Sequence, residues 1–568
     1  MRVLLLAHAF NSLTQRLWVD LTAGGHDVSL ELDIADPVTL EAVALFRPDV
    51  VVASFLKRAL PEAVWRKVPC LVVHPGPVGD RGPSSLDWAI LEGVPEWGVT
   101  VLQANEVMDG GPVWASRTFP MREATKSSLY RNEVTEAASA AVAEALAKLD
   151  ARESPRPQSE ARAVSRPLMR QAQRRIDWTT DDTATVLRKL RASDSSPGVL
   201  DEALDLHWFR AFAAGVEGQG APGALMGRDD TGAVLRETRD GAVWLTHAQP
   251  TKPSADAPDA KPFKRPAAEV VQASLPLVRD GSRSDITSRE VGDVALLRFE
   301  FSNGAMATAD CLRLRDAFVE ATRRPTRVIV LLGGEDFWSN GIHLNAIEAA
   351  SSPADESMRN IEAMDELCRA VIECTSHLTI AALQGNAGAG GCFLALTTDE
   401  VVARHSVILN PHYKNMGNLY GSEYWTYLLP RRVGDAEAKA LTQGRLPLGA
   451  AEARRRGLVD VVLEGTPPAF VDAVTARAQA LASAADFAER LAVKRARRET
   501  DEARKPLAAY REAELARMRL NFYGFDPSYH VARYHFVHRL PHAWTPLHLA
   551  RHRSDAWKRQ QLLVTRGE

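Results

Sequence analysis

The chain has 568 residues, 45% hydrophobic and 25% charged. At roughly 150 residues per domain this leaves room for about three or four folded units, and it excludes both a single small module and a disordered chain. Lys plus Arg (69) nearly balance Asp plus Glu (72) for a formal net charge of −3, so no global basic field draws in nucleic acid or anionic lipid, and neither is an expected partner.

The longest apolar runs are strand-sized, well below the ~18 residues of a membrane span. The N-terminal Met-Arg-Val-Leu-Leu-Leu-Ala is too short for a signal peptide and reads as a first buried strand. The five cysteines form no C-x-x-C pair, which predicts free thiols in a soluble cytoplasmic protein.

Residues 3–7, 49–54 and 70–73 are apolar runs of buried-strand type, with helix-like residues 13–21 between the first two, an alternation that predicts a parallel sheet. The Ala-rich stretch 133–149 has strong helix propensity, and Ser, Pro and Arg take over after it, so a first domain is expected over 1–160. From 161 to 250, a helix-like stretch at 182–191 and short strands near 223–226, 233–237 and 242–246 predict a small strand-rich domain. Residues 251–266 carry four prolines, and 251–284 reads as a semi-stiff linker. Strands at 294–299, 327–332, 378–383 and 400–403 alternate with helices in a second α/β domain over 285–487. The charged, helix-prone remainder, 488–568, is expected to be a helical extension. The fold class is multidomain α/β.

His74 follows a buried strand at the C-terminal edge of the first sheet, where open α/β folds bind ligands. Downstream, Trp97-Gly-Val-Thr-Val-Leu leads to Asp109 on a Gly-rich turn, which places a carboxylate within reach of the imidazole. With Arg81-Gly82, Gly98-Val-Thr and Asp109-Gly-Gly at matching spacings, residues 1–150 resemble the formyltetrahydrofolate-dependent formyltransferases. Residues 165–250, with Arg175-Ile-Asp-Trp, Pro197-Gly and Pro222-Gly, resemble the small barrel-like domain that follows in methionyl-tRNA formyltransferase.

That resemblance implies a Rossmann-like domain in which His74 donates to the formyl oxygen and Asp109 holds it aimed. Arg81, Gln15 and Arg131 are candidate substrate contacts. One departure is plain: the family's asparagine two residues before the histidine is Val72 here. Another donor, or a more nucleophilic acceptor such as a thiol, is expected in its place.

Farther on, Phe301-Ser-Asn-Gly, Phe337-Trp-Ser-Asn-Gly-Ile, Asn386-Ala-Gly-Ala-Gly-Gly-Cys, Leu429-Pro-Arg-Arg-Val-Gly and Gly457-Leu-Val-Asp resemble, in this order, the enoyl-CoA hydratase/isomerase (crotonase) superfamily. The resemblance implies a coenzyme A thioester ligand and an oxyanion hole from the amides of Ile342 and Gly390, with Asn303 lining the substrate site. The two positions where a hydratase glutamate is expected hold Phe393 and His412, so hydration is not expected. The segment Asn410-Pro-His-Tyr-Lys through Gly421-Ser-Glu-Tyr-Trp supplies Tyr413 and Glu423 instead. In the tail, His535, His538 and His542 share a helical spacing but no Cys or acidic cluster joins them, so no metal is expected; Arg533 and Arg539 are candidates for coenzyme A phosphates.

A formyl-donor site joined to a thioester site resembles the HypX/HoxX family associated with [NiFe]-hydrogenase maturation. That resemblance implies formyl transfer from N10-formyltetrahydrofolate to coenzyme A and decarbonylation of formyl-CoA to carbon monoxide. Glu423 and Tyr413 would serve as base and acid, in either assignment, and maturation proteins would receive the CO. The alternatives are a formyltetrahydrofolate-dependent transferase or hydrolase with a non-catalytic crotonase-like scaffold, and a coenzyme A-dependent acyl enzyme with a vestigial folate domain, which Val72 alone supports.

Overall fold

The computed structural model describes residues 1–568 except 160, 162, 217–219, 254–257, 556 and 558–568. The chain divides into two compact units, Met1–Arg283 with Pro541–Glu568, and Ser284–Leu540.

In the first unit a six-stranded sheet runs in the order Asp27–Leu32, Arg2–Ala7, Val50–Phe55, Cys70–His74, Glu96–Gln103, Val113–Pro120. The first four strands are parallel, as the β/α alternation requires. The last two are antiparallel to their neighbours, so the sheet is mixed rather than wholly parallel. The turn between them is too short for the crossover that parallel pairing needs. The helix Ser12–Ala23 starts where the Asn11 side chain accepts the Thr14 N–H, and it buries Leu13, Leu17, Trp18 and Leu21 on one face.

The strands Leu225–Arg228, Val234–Glu237, Ala242–Pro250, Leu206–Ala213 and Val199–Asp201 form an antiparallel sheet around Trp208, Val234, Val243 and Leu245, covered by the helix Thr183–Ser193. Here the expected linker departs from expectation. Arg265–Pro266 pairs with Ala242–Pro250, Ala267 and Val271 enter the same core, and Val278 packs with a second small cluster. The apolar residues after the prolines find a sheet to cover, and Pro266 sits where a strand end meets a helix start, a position that tolerates a missing N–H. Of the linker, 254–257 lie outside the described residues.

The tail departs further. Helices Phe487–Arg504, Leu507–Tyr523 and Ser528–Val537 are present, but the helical stretch stops there, and His538 is only its C-cap. Among the described residues, those after 540 belong to the first unit and hold a short 3₁₀ turn at Arg551–Arg553, Pro541 and Pro546 interrupting any longer helix before it. This segment lies along Asp27–Leu32, the edge strand. Leu30 donates its N–H to Leu549 O (3.0 Å), Leu32 donates to Thr545 Oγ1 (2.8 Å), and Trp557 enters the core against Phe46. An edge that would otherwise offer a row of free amides is thereby covered. Residue 556 and residues 558–568, the end of the predicted extension, lie outside the described residues.

In the second unit a sheet runs Ile286–Val291, Val294–Phe299, Val328–Leu332, Leu378–Leu383, Glu400–Arg404, Val461–Leu463, parallel after its first antiparallel pair. Side chains alternate between faces. Val328, Val330 and Leu332 meet Phe470 and Val474 of the helix Pro467–Ala482, whereas Ile329 and Leu331 join the core with Leu314, Phe318, Met364 and Leu367 from the helices Thr308–Ala321 and Pro353–Ile372. Beyond the C-terminal ends of these strands lies a smaller sheet of Phe337–Ser339, Asn386–Gly388, Ile408–Asn410 and Leu448–Gly449. Among the described residues no helix is long and apolar enough to cross a membrane.

Candidate functional sites

The first site stands at the end of Cys70–His74. His74 is buried, with both ring nitrogens facing carboxylates. Nε2 lies 2.9 Å from Asp80 Oδ2, and Nδ1 lies 3.6 Å from Asp109 Oδ1. Asp109 sits on its turn with φ 55° and accepts the Gly82 N–H at Oδ2 (3.1 Å), while Gln158 Nε2 donates to the carbonyls of Asp109 (3.0 Å) and Gly111 (2.7 Å). The predicted pair is therefore brought together, but the tighter partner of His74 is Asp80, which the sequence reading did not single out. Its signal was a carboxylate within the glycine-flanked Gly79-Asp-Arg-Gly turn.

Asp80 is buried, and three donors surround it: His74, Ser85 Oγ (2.6 Å) and Arg166 (2.8 Å). Burial alone would raise its carboxyl, but the His74 and Ser85 hydrogen bonds and the Arg166 charge hold it below the usual carboxylate range. The segment Val164–Ser165 pairs with Asp80–Arg81, so the chain leading to the second sheet clamps the loop after His74. Val72 is on the same strand face as His74, two residues earlier, and supplies no donor. Arg81 lies against the Gly110 turn, and Gln15 lies in the first turn of the helix Ser12–Ala23, which packs on the π turn Tyr130–Val134 that carries Arg131.

The second site lies where the small sheet meets the helix Gly390–Leu396. The strand Gly341–Ile342 packs against that helix, and Trp338 Nε1 donates to Gly391 O (2.8 Å). Amides flanking the two predicted oxyanion donors are engaged: Gly341 with Ser339 Oγ, His343 with Asn360 Oδ1, Ala389 with Asn410 O. Asn303 lies on a turn of φ 54° whose carbonyl accepts from Asn340 Nδ2 (2.8 Å), just before Gly341. A Cβ on Gly390 would overlap Glu423 Oε1, so the carboxylate rests directly on that glycine.

Glu423 and Tyr413 meet as one unit. Tyr413 Oη donates to Glu423 Oε2 at 2.5 Å and lies 3.1 Å from Ser422 O. The Tyr413 ring stacks on Phe393 (centroids 5.2 Å apart, planes at 16°), so the side chain at a hydratase-glutamate position has become a platform for the phenol. Gly421 closes the other side, since a Cβ there would strike the Tyr413 ring. Burial, and then the charge of Asp365, pushes the Glu423 carboxyl up to about 8; burial and the charge of Glu423 push the Tyr413 phenol well above its ordinary value.

The tail reading changes in one respect. Arg533 is buried and spent on Glu348 (2.6 Å) and His530 (2.8 Å), which excludes it as a phosphate contact, while Arg539 is exposed at the end of its helix. His538 meets Glu348 and packs on Tyr534.

Two folds and two sites of this kind define a formyltransferase-type domain joined to a crotonase-type domain. The formyl transferase family model matches residues 33–146, and the enoyl-CoA hydratase/isomerase model matches 291–545. The chain is 28% identical to methionyl-tRNA formyltransferase of Chloroflexus aurantiacus over 38% of its length and 72% of that protein. It is 56% identical to hydrogenase maturation factor HoxX of Bradyrhizobium diazoefficiens, across 97% of both chains. The crystal structure of HypX from Aquifex aeolicus in complex with tetrahydrofolic acid matches it at TM-score 0.92 and 46% identity, over 98% of this chain and 99% of that one. The chain belongs to the HypX/HoxX family of hydrogenase maturation factors.

Proposed function

We propose that the protein synthesises carbon monoxide for the active-site iron of [NiFe]-hydrogenase in two steps. At the first site the thiolate of coenzyme A attacks the formyl carbon of N10-formyltetrahydrofolate. His74 moves the proton and stabilises the tetrahedral oxygen as the C–N10 bond breaks. The products are tetrahydrofolate and formyl-CoA. A thiolate acceptor needs less proton assistance than an amine, which fits the absence of the asparagine at Val72.

At the second site formyl-CoA places its carbonyl oxygen at the amides of Ile342 and Gly390. Formyl-CoA has no α-carbon, so Glu423 takes the proton from the carbonyl carbon. The electron pair left on carbon remains with CO as the C–S bond breaks, and the sulfur leaves as thiolate to be reprotonated through Tyr413. The observation that carries the reading is the Glu423–Tyr413 pair lying on Gly390 where a hydratase would keep its glutamates. Arg539 serves the coenzyme A phosphates, and CO-accepting maturation proteins are the downstream partners.

The test supplies carbon-13-labelled N10-formyltetrahydrofolate with and without coenzyme A and traps gas on deoxyhaemoglobin. Labelled CO that requires coenzyme A is expected. Labelled formate or another formylated product without CO would refute decarbonylation and reduce the second unit to a scaffold.

A further inference from the structure

Glu423 does not hold its position through its own helix. Glu423 and Tyr424 have φ of 61° and 59°, two consecutive non-glycine residues in the left-handed region, immediately before the helix Trp425–Val433. A side chain with a Cβ is disfavoured in that region, so something outside the turn must hold it there.

Two buried carboxylates do so. Asp365, from the helix Pro353–Ile372, accepts the Glu423 N–H at 2.8 Å and Ser422 Oγ at 2.9 Å. Glu514, from the helix Leu507–Tyr523, accepts the Tyr424 N–H (3.0 Å) and Ser422 Oγ (3.2 Å) at one oxygen, and the Thr426 N–H (2.8 Å) and hydroxyl (2.5 Å) at the other. Both are fully buried. They do from a distance what an N-cap side chain does locally: they satisfy the orphan amides at a helix start.

We propose that Asp365 and Glu514 are positioning residues for the second reaction, clamping Ser422-Glu423-Tyr424 in the left-handed turn that lays the Glu423 carboxylate on Gly390. The clamp also sets the electrostatics of the base. The groups facing Glu423 are Tyr413, Asp365 and Cys368, Cys311 and Glu514, with Arg511 beside Asp365 at 3.4 Å. That guanidinium is shared between Asp365 and Glu366 (3.1 Å). The Asp365 charge raises Glu423, which makes it a stronger base once ionised. This inference rests on the reading of Glu423 as the proton acceptor.

The experiment supplies formyl-CoA directly, reads CO on deoxyhaemoglobin, and follows the thermal transition of the second unit as the measure of its folding, with formyl transfer as the control for the first unit. Glu423→Gln tests the reading itself: retained CO would sink both the reading and the clamp. Asp365→Asn keeps an oxygen for the Glu423 N–H while removing the charge. It is expected to hold kcat within about threefold and to move the acid limb of the pH profile to lower pH. Asp365→Ala and Glu514→Leu release the turn and are expected to lower kcat more than about tenfold with KM within about twofold, formyl transfer being unchanged. If Glu423→Gln abolishes CO while Asp365→Ala and Glu514→Leu behave as wild type, the clamp is wrong and the reading of Glu423 stands. Loss of the cooperative thermal transition of the second unit in the two clamp variants would assign these residues to folding alone and overturn the proposal.

Discussion

Raising pH from about 7 to about 9 is expected to raise the rate of formyl-CoA decarbonylation roughly tenfold. The reasoning starts from the Glu423 carboxyl, which burial and the neighbouring Asp365 charge push up to about 8. A base acts only when ionised. A carboxyl titrating near 8 is ionised in roughly one molecule in ten at about pH 7 and in roughly nine in ten at about pH 9. Because the value is raised, the active fraction grows with pH, and an ordinary carboxylate would instead give a plateau from about pH 6 upward. Tyr413 does not cut the rise short, since its phenol is pushed well above its ordinary value and keeps its proton throughout. The assay adds saturating formyl-CoA to enzyme in buffers of constant ionic strength, measures CO as the carboxyhaemoglobin band, and takes initial rates before spontaneous hydrolysis to formate depletes the substrate. A profile that is flat or falling over this range would show that the proton is not taken by a buried carboxyl, and the assignment of Glu423 would fail.

His74→Ala is expected to lower formyl transfer by about 10² to 10⁴-fold, and Asp80→Asn by at least about tenfold because the ring loses the charge of its closest partner; decarbonylation of supplied formyl-CoA measures whether the second unit is intact. Gly390→Ala is expected to displace Glu423 and abolish CO formation while formyl transfer persists, as a Cβ at that position overlaps the carboxylate. Trp557→Ala is expected to cost about 3–5 kcal/mol in the first unit, read as an earlier thermal transition, because the indole fills the core beside Phe46. The second unit is expected to lose stability as pH rises. Asp365, Glu423 and Glu514 titrate near 7, 8 and 8 when folded and at ordinary carboxylate values when unfolded, so the contribution is fully present at about pH 4 and gone above about pH 8. Calorimetry at low and high pH checks the sign.

Much of this protein is legible locally. Apolar runs of strand length placed the main strands of both α/β sheets, because a strand buried on both faces needs apolar side chains at every position. The Gly-rich turns after them marked the loops at the sheet edges, and His74, Asp109, Tyr413 and Glu423 stand at such turns. Composition misled where local character and tertiary packing disagree. The proline-rich stretch before 266 reads as solvated, yet the residues after it complete a sheet core, and the charged tail reads as one helical run, yet prolines break it and its end covers an edge strand.

The partners that arrange each site were hidden for a physical reason. The Asp80–Arg166 contact spans 86 residues, Glu423–Asp365 spans 58, Tyr424–Glu514 spans 90, and Ser29–His552 spans 523. A hydrogen bond between residues so far apart leaves no periodicity and no spacing rule, since closing the loop costs entropy that only the whole core repays. The sequence by itself determined the elements and the chemistry they carry, through the side-chain period of strands and the composition of turns. Only the tertiary structure decided that Asp80 rather than Asp109 grips His74, and that two distant carboxylates hold the Glu423 turn. Both depend on which helices and strands the hydrophobic cores force together.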